Sequence, residues 1–233
     1  MLIDLSKCVG CEACTVNCQA EWQLEPEEQF TKVHRYETGK FPQVKGGVVP
    51  TQCFHCHQPP CVEVCPTGAS YKRPDGIVAI DEDKCIGCCY CLSACPYGAR
   101  CFDSSRRIVR KCYFCYPRIE QGKEPACVNT CMAGARTFGD VDDPTSAISK
   151  AIKETKAVPI RGTSIFYVPS PHLDRSFLPP DLKEPGFVRW WKGVIQPGGK
   201  AVMAAAAGAV VVSLAINTIN KGGGTGGDAD ARK

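Results

Sequence analysis

Apolar and polar positions along this chain alternate in short bursts separated by turn residues. From Tyr71 to Asp81 a Pro-Asp-Gly turn leads into Ile77, Val78, Ala79 and Ile80, which predicts a strand after the turn. Gly98 to Phe102 and Arg107 to Arg110 predict two more short strands. Short helices could start where each run of cysteines ends, so the coarse pattern is strand, loop, helix, strand, repeated. From Pro169 the texture changes. Pro169, Pro171, Pro179, Pro180 and Pro185 predict an extended strap over residues 169–199, running over a surface, a partner's among the candidates.

Trp190, Trp191 and Lys192 then precede the stretch Ala201 to Ile219, nineteen residues without a charge. As a helix it would be about 28 Å long against ~30 Å of hydrocarbon. Its Ile, Leu and Val residues supply roughly −2 to −4 kcal/mol of insertion free energy, which Ser213, Asn217 and Thr218 erode. Ala204 with Gly208, and Ala205 with Ala209, offer a small-residue face to a neighbouring helix. The reading is one C-terminal transmembrane helix over residues 200–220 and a Gly-rich tail over 221–233, with a buried or amphipathic soluble helix as the alternative. Positive charges tie across it, with Arg189, Lys192 and Lys200 before and Lys221, Arg232 and Lys233 after. Charge therefore does not orient it.

Length and composition narrow the class. The 233 residues fit one domain or two small ones, and 22% charged with 44% hydrophobic residues excludes wholesale disorder. The formal charge of +4 would hint at an anionic partner, but it counts all 18 cysteines as neutral.

Sixteen of those cysteines fall into four sets of four. The first is Cys8, Cys11, Cys14 and Cys18. The second is Cys53, Cys56, Cys61 and Cys65, followed by Pro66, and the third is Cys85, Cys88, Cys91 and Cys95, followed by Pro96. The fourth is Cys112, Cys115, Cys127 and Cys131, leaving Cys89 and Cys101 over. Disulfides would want cysteines spread through loops of an exported chain, and Cys8 leaves no room for a secretory signal. Structural zinc would pair two C-x2-C knuckles across a longer gap. Three cysteines within seven residues and a fourth after x3, as in the first and third sets, match instead the bacterial ferredoxin run, in which a short loop wraps a 4Fe–4S cubane and the fourth cysteine serves the neighbouring cluster; the second and fourth sets match once a longer spacer is allowed. The reading is four 4Fe–4S clusters.

That crossing rule pairs the ligands. Cys53, Cys56 and Cys61 take Cys95, while Cys85, Cys88 and Cys91 take Cys65, giving one two-cluster unit. Around it, Cys8, Cys11 and Cys14 take Cys131, and Cys112, Cys115 and Cys127 take Cys18. The fold class is α+β, with duplicated ferredoxin-like units over residues 1–168 and the clusters replacing a thin apolar core. Sixteen thiolates and four oxidised cores bring the formal +4 to about −4, so Lys7, Lys72, Lys84, Arg100 and Lys111 are expected to balance clusters and not nucleic acid.

The runs CVGCEACTVNC, CFHCHQPPCVEVCPTGASYKRPDGIVAIDEDKCIGC, CLSACPYGAR and KCYFCYPRIEQGKEPACVNTC resemble the four-cluster iron–sulfur subunits of the molybdopterin (dimethyl sulfoxide reductase) oxidoreductase superfamily, over roughly residues 1–140. The ending WWKGVIQPGGKAV and the helix after it resemble the β subunit of membrane-bound formate dehydrogenase. The resemblance implies a subunit without a catalytic site of its own. It would pass electrons between a molybdenum or tungsten catalytic subunit and a membrane cytochrome b or quinone-reactive subunit. It also implies a single-pass membrane protein whose cluster domain lies on the outer, periplasmic face, co-exported with a partner. Cys89, Cys101 and Met132 depart from the family pattern. A nickel–iron hydrogenase or another molybdopterin reductase using the same wire, a free polyferredoxin, and a zinc scaffold are the alternatives.

Several residues invite sharper roles than they are given. Cys89 and Cys101 read as packed thiols. His55 and His57 read as donors near a cluster, since the second set keeps all four cysteines that a Rieske centre would lose. His172 reads as a packing residue of the strap and not a haem ligand. Trp22, Tyr90, Tyr97 and Phe114 read as water shields, and Glu25, Glu27 and Glu28 as a solvated run.

Overall fold

The computed structural model describes residues 1–171, 173 and 175–196. His172, the expected helix over 200–220 and the tail over 221–233 lie outside the described residues. Among the described residues no helix is long and apolar enough to cross a membrane. The chain divides into two units, Met1–Val188 and Arg189–Lys233.

The first unit begins with β1 (Leu2–Asp4), fully buried, and α1 (Ala13–Trp22). A long hairpin follows, β2 (Lys32–Lys40) against β3 (Gln43–Thr51), in register from Lys32 opposite Thr51 to Lys40 opposite Gln43. Next come two copies of one small motif, a one-turn helix and a hairpin. The first is α2 (Pro60–Glu63) with β4 (Ser70–Lys72) and β5 (Val78–Ile80). The second is α3 (Tyr90–Ser93) with β6 (Arg100–Asp103) and β7 (Ile108–Lys111). The expected strands thus pair as two hairpins. In the first, Asp75 tightens the turn by accepting from the Ile77 N–H at 3.0 Å.

After α4 (Tyr116–Ile119), α5 (Ala126–Asn129) leads into β8 (Arg136–Thr137). Then α6 (Ala147–Thr155), β9 (Val158–Pro159) and β10 (Phe166–Val168) complete the mixed sheet β8-β1-β10-β9, in which β1 and β10 run parallel. Ser146 caps α6 by accepting the Ser149 N–H at 3.2 Å, and Ile148 on its inner face is fully buried. Ile3, Ile165 and Tyr167 build the apolar core of this sheet, and the Tyr167 hydroxyl donates to Pro50 O at 2.8 Å. Because β1 precedes the first cysteine set and β8 follows the fourth, their pairing brings the two ends of the motif region together around the middle pair. Asn17 of α1 reinforces this by donating to Ala126 O of α5 at 2.9 Å.

The strap as far as Val188 lies on this same body. Leu182 N–H donates to Arg161 O at 3.0 Å, Tyr97 OH donates to Pro180 O at 3.2 Å, and Phe177 packs on Tyr36 at 4.8 Å between ring centroids. The described part of the second unit, residues 189–196, is helical: the end of α7 (Gly186–Trp190), then a wider π-turn over Trp191–Ile195.

Candidate metal centres

Each cysteine loop is built the same way. The residue before the second cysteine always adopts the left-handed backbone: Gly10 and Gly87 at φ 67°, His55 at 44° and Phe114 at 52°. Such a turn aims successive N–H groups into its concave side, a lining suited to an anion. Glycine is needed where space is tightest, since a Cβ on Gly87 would run into the Arg107 carbonyl oxygen. The two side chains that do occupy this strained position, His55 and Phe114, stack on each other at 3.7 Å between centroids.

The third cysteine of every set is the second residue of a helix: Cys14 of α1, Cys61 of α2, Cys91 of α3 and Cys127 of α5. The fourth comes four residues later, at or past the end of that one turn. This corrects the expectation that helices begin where the sets end; the helix lies inside each set. The constant x3 spacing has a geometric reason, because residues i and i+4 share one side of a helix, one turn apart. One turn therefore presents a thiol to each of two adjacent sites. Pro66 and Pro96 stop α2 and α3 at that point, whereas no proline follows Cys18 and α1 runs on to Trp22.

The thiols gather across sets. Cys8, Cys11 and Cys14 line a small cavity of about 20 Å3 together with Cys131. Cys85, Cys88 and Cys91 line another, also of about 20 Å3, with Cys65. Burial pushes the Cys56 thiol above its usual range, and Cys53, Cys61 and Cys95 add to it. Burial likewise raises Cys18, with Cys127 and Cys115 next in effect, and raises Cys112, with Cys18 next. The four groups so formed are named below by their first cysteines, as the Cys8, Cys112, Cys53 and Cys85 groups. They form a line. Arg136 touches Cys14 and Cys127, Cys53 acts on Cys112, and Cys61 acts on Cys91.

Exposure follows the line. Cys11 and Cys88, in the outermost groups, are exposed, whereas Cys18, Cys112, Cys115 and Cys127 of the second group are all buried. In the third, Cys53, Cys56 and Cys61 are buried and Cys95 is half-buried. Beside the outer groups stand the exposed apolar side chains of Val9, Met132 and Ile86.

Cations and N–H donors surround these thiols. Arg136 reaches Cys14 Sγ at 3.6 Å and Cys127 Sγ at 3.8 Å, and Gln52 Oε1 at 3.0 Å. Lys111 is fully buried and donates to Val78 O and Cys112 O. Arg100, also buried, donates to Ser70 Oγ at 2.8 Å. Of the five cations expected to balance clusters, only Arg100 and Lys111 turn inward. The exposed Lys7 pairs with buried Asp4, the exposed Lys84 pairs with Asp81, and Lys72 bonds His57 O. Arg136 went unforeseen, although its signal was present: Gly-Ala-Arg ends five residues after Cys95 and again five residues after Cys131.

His55 Nδ1 accepts the Val78 N–H at 3.0 Å, so Nε2 carries the proton. That Nε2 and Arg100 Nη1 are buried without a hydrogen-bond partner. Buried donors and unpaired cations among thiols suit an anionic, sulfur-rich group, so the residues fit 4Fe–4S clusters. Trp22 Nε1 donates to Cys115 Sγ at 3.4 Å and the Ser70 N–H to Cys65 Sγ at 3.4 Å. Burial raises Cys65, but the bonds from Ser70 and Thr67 outweigh it and hold the thiol below its usual range.

Other expectations change. His57 is exposed, and only its main chain is engaged, so it donates nothing to a thiol. Tyr90 is exposed and shields little. Glu28 is buried and lies 3.6 Å from Arg110, so it is no part of a solvated run. Cys89 takes the left-handed position that Glu12 takes in the first set, its thiol on Gly87 O at 3.2 Å, and Cys101 donates to Arg110 O at 3.6 Å.

Two family models, both described as a 4Fe-4S dicluster domain, match residues 7–69 and 44–141. The B subunit of the sulfite dehydrogenase of Allochromatium vinosum is 47% identical over 177 residues, covering 66% of this chain and 73% of the relative. The B subunit of the tetrathionate reductase of Salmonella typhimurium is 43% identical over 191 residues, covering 77% and 74%. The B component of the anaerobic dimethyl sulfoxide reductase of Escherichia coli is 41% identical over 150 residues, covering 60% and 73%. The two dicluster matches give four 4Fe–4S clusters.

Proposed function

Because the protein belongs to the 4Fe–4S electron-transfer subunits of the molybdopterin oxidoreductases, we propose that it is a fixed wire with two ports. One port meets a molybdopterin catalytic subunit and the other a membrane cytochrome b or quinone-reactive subunit. The observation that carries this reading is the line of thiol groups, buried in the middle and exposed at both ends beside bare apolar side chains. A free carrier would need only one exposed cluster.

The ligand sets proposed are the four groups: Cys8, Cys11, Cys14 with Cys131; Cys112, Cys115, Cys127 with Cys18; Cys53, Cys56, Cys61 with Cys95; and Cys85, Cys88, Cys91 with Cys65. Bound there, each cluster supplies one-electron redox chemistry. The protein's own part is to fix the sites in line, to keep water from the inner two, and to offer N–H donors and cations to the reduced form.

Residues 200–220 are proposed to anchor the wire to the bilayer, with the cluster-bearing part on the outer face and exported in company with a partner. Deleting residues 200–233 is then expected to move the cluster-bearing chain into the soluble fraction or to separate it from the membrane subunit. Unchanged fractionation would retire the anchor.

For the catalytic partner, the relatives' names favour a sulfur- or selenium-oxo substrate over formate. Sulfite, tetrathionate, selenate and dimethyl sulfoxide all appear among them. The likeness to formate dehydrogenase rests on residues 190–202 and the stretch after them, most of which lie outside the described residues. The test is dye-linked turnover by the detergent-extracted complex with each of these compounds and with formate. Turnover of a sulfur or selenium compound and not formate supports the assignment. Turnover of formate alone overturns the substrate class and restores formate dehydrogenase.

A further inference from the structure

The line of thiol groups has three junctions, and each holds one buried cation. Arg136, 5% exposed, bridges Cys14 of the Cys8 group and Cys127 of the Cys112 group. Lys111, 0% exposed, donates to Cys112 O at 2.6 Å; burial lowers its pKa and Arg100 adds to that, while Cys53, Cys112 and Cys61 favour its charge. Arg100, 8% exposed, feels Cys53, Cys61 and Cys95 of the Cys53 group and Cys91 of the Cys85 group. Arg100 and Arg136 also hold equivalent places, opening β6 and β8 five residues after a fourth cysteine. At the corresponding place after Cys65 stands Ser70, whose hydroxyl accepts from Arg100.

Among the described residues none of the three has a carboxylate within ion-pair distance. Arg110 supplies the contrast. It is equally buried, yet it lies 3.6 Å from Glu28 and 3.5 Å from Asp103, which cancel its charge. A buried cation without a counter-ion is costly unless something anionic faces it. Their hydrogen-bond partners are neutral groups and thiols, so the groups able to carry a compensating negative charge are the thiols and the clusters they hold.

We propose that Arg136, Lys111 and Arg100 are electrostatic spacers, each lending one positive charge to the two clusters it separates. Adding an electron to a cluster makes a negative site more negative. A cation between two such sites favours the reduced form of both, because the attraction acts across protein of low dielectric. Shared between two sites, it raises both potentials together. With clusters bound, the assisted transfer would be of one electron with no bond made or broken in the protein, and Arg136 and Arg100 would stay protonated. These are positioning residues, not ligands.

The inference rests on the ligand sets proposed above, and the test separates the two. In the intact complex, the four clusters are titrated by EPR against potential, with signals assigned through a Cys→Ser variant of each group. Arg136→Met is expected to make the Cys8 and Cys112 clusters harder to reduce by tenfold or more, about 59 mV for one electron. Arg100→Met should do the same to the Cys53 and Cys85 clusters. In each variant the far pair moves less. Four retained clusters with unmoved potentials, or a shift equal in all four, overturns the spacers and leaves the ligand sets standing. Where a Met variant loses a cluster, Arg136→Lys or Arg100→Lys decides. Four clusters at wild-type potentials support a need for charge, and loss in the Lys variant too overturns it in favour of shape. Fewer than four clusters in the unmodified protein would instead sink the ligand sets.

Discussion

Cys91→Ser is expected to remove or convert one cluster of the four and to drop electron delivery to quinone to the background of the complex without this chain. Cys91 is buried, sits in the first turn of α3, and lines the cavity of the Cys85 group. Burial pushes its thiol up to about 11, partly offset by Arg100, so only a bound metal keeps it ionised at neutral pH. A serine hydroxyl is harder and far less acidic, a poor substitute for a thiolate on iron. In the proposed wire the four groups act in series, so the loss is total and not partial. The same reasoning applies to each of the sixteen cysteines, with Cys127→Ser breaking the line in its middle. Cys89→Ser is the control. Its thiol lines the same cavity but bonds Gly87 O, so four clusters and full electron flow should survive. Iron per chain and quinone reduction are the readouts, and wild-type throughput from Cys91→Ser would refute the wire.

Stripping the clusters is expected to unfold the cysteine-bearing body, not merely to silence it. Arg136 and Arg100 would then be buried cations facing neutral thiols. Leaving a buried charge without its partner costs about 3–5 kcal/mol. Two such sites approach the ~5–15 kcal/mol by which a whole domain is stable. Little regular structure compensates, because the buried apolar residues beside the clusters, Val78, Ile80 and Val109 among them, sit on two short hairpins, and α2, α3 and α5 are single turns fixed by their cysteines. Anaerobic chelation followed by hydrogen exchange reads this out. Amides of β4 to β7 should lose protection together with the iron. Protected hairpins in an iron-free chain would show that the polypeptide holds itself up.

The parts of this architecture legible in the sequence are those where chemistry dictates spacing. The ligand loops could be located because a cubane constrains four thiols to a short pattern, and the strands could be placed because 78–80 is an apolar run after a turn while 100–103 and 108–111 each carry two adjacent apolar residues near turn residues. The hairpin of β2 and β3 was not foreseen. It is mostly exposed on both faces, so Lys32 to Lys40 carries no inward stripe to betray it. The helices were placed one step late, since the x3 spacer reads as a loop until it is recognised as one helical turn. Arg136 was hidden for a different reason. A lone arginine among small residues reads as surface, and only the second copy of Gly-Ala-Arg after Cys95 marks it as a repeated inner position. Glu28 was misread because its neighbours Glu25 and Glu27 are solvated, and its partner Arg110 lies far away in sequence.

The central claim is a wire of four 4Fe–4S clusters attached to a molybdopterin enzyme, and elemental analysis of the detergent-extracted complex tests it most directly. Normalised to this chain, iron should reach sixteen atoms or more, with molybdenum or tungsten co-eluting and zinc at trace level. Iron near half that value, or zinc in its place, would contradict the four-cluster wire. Iron in full with nickel, and neither molybdenum nor tungsten, would contradict the molybdopterin partner.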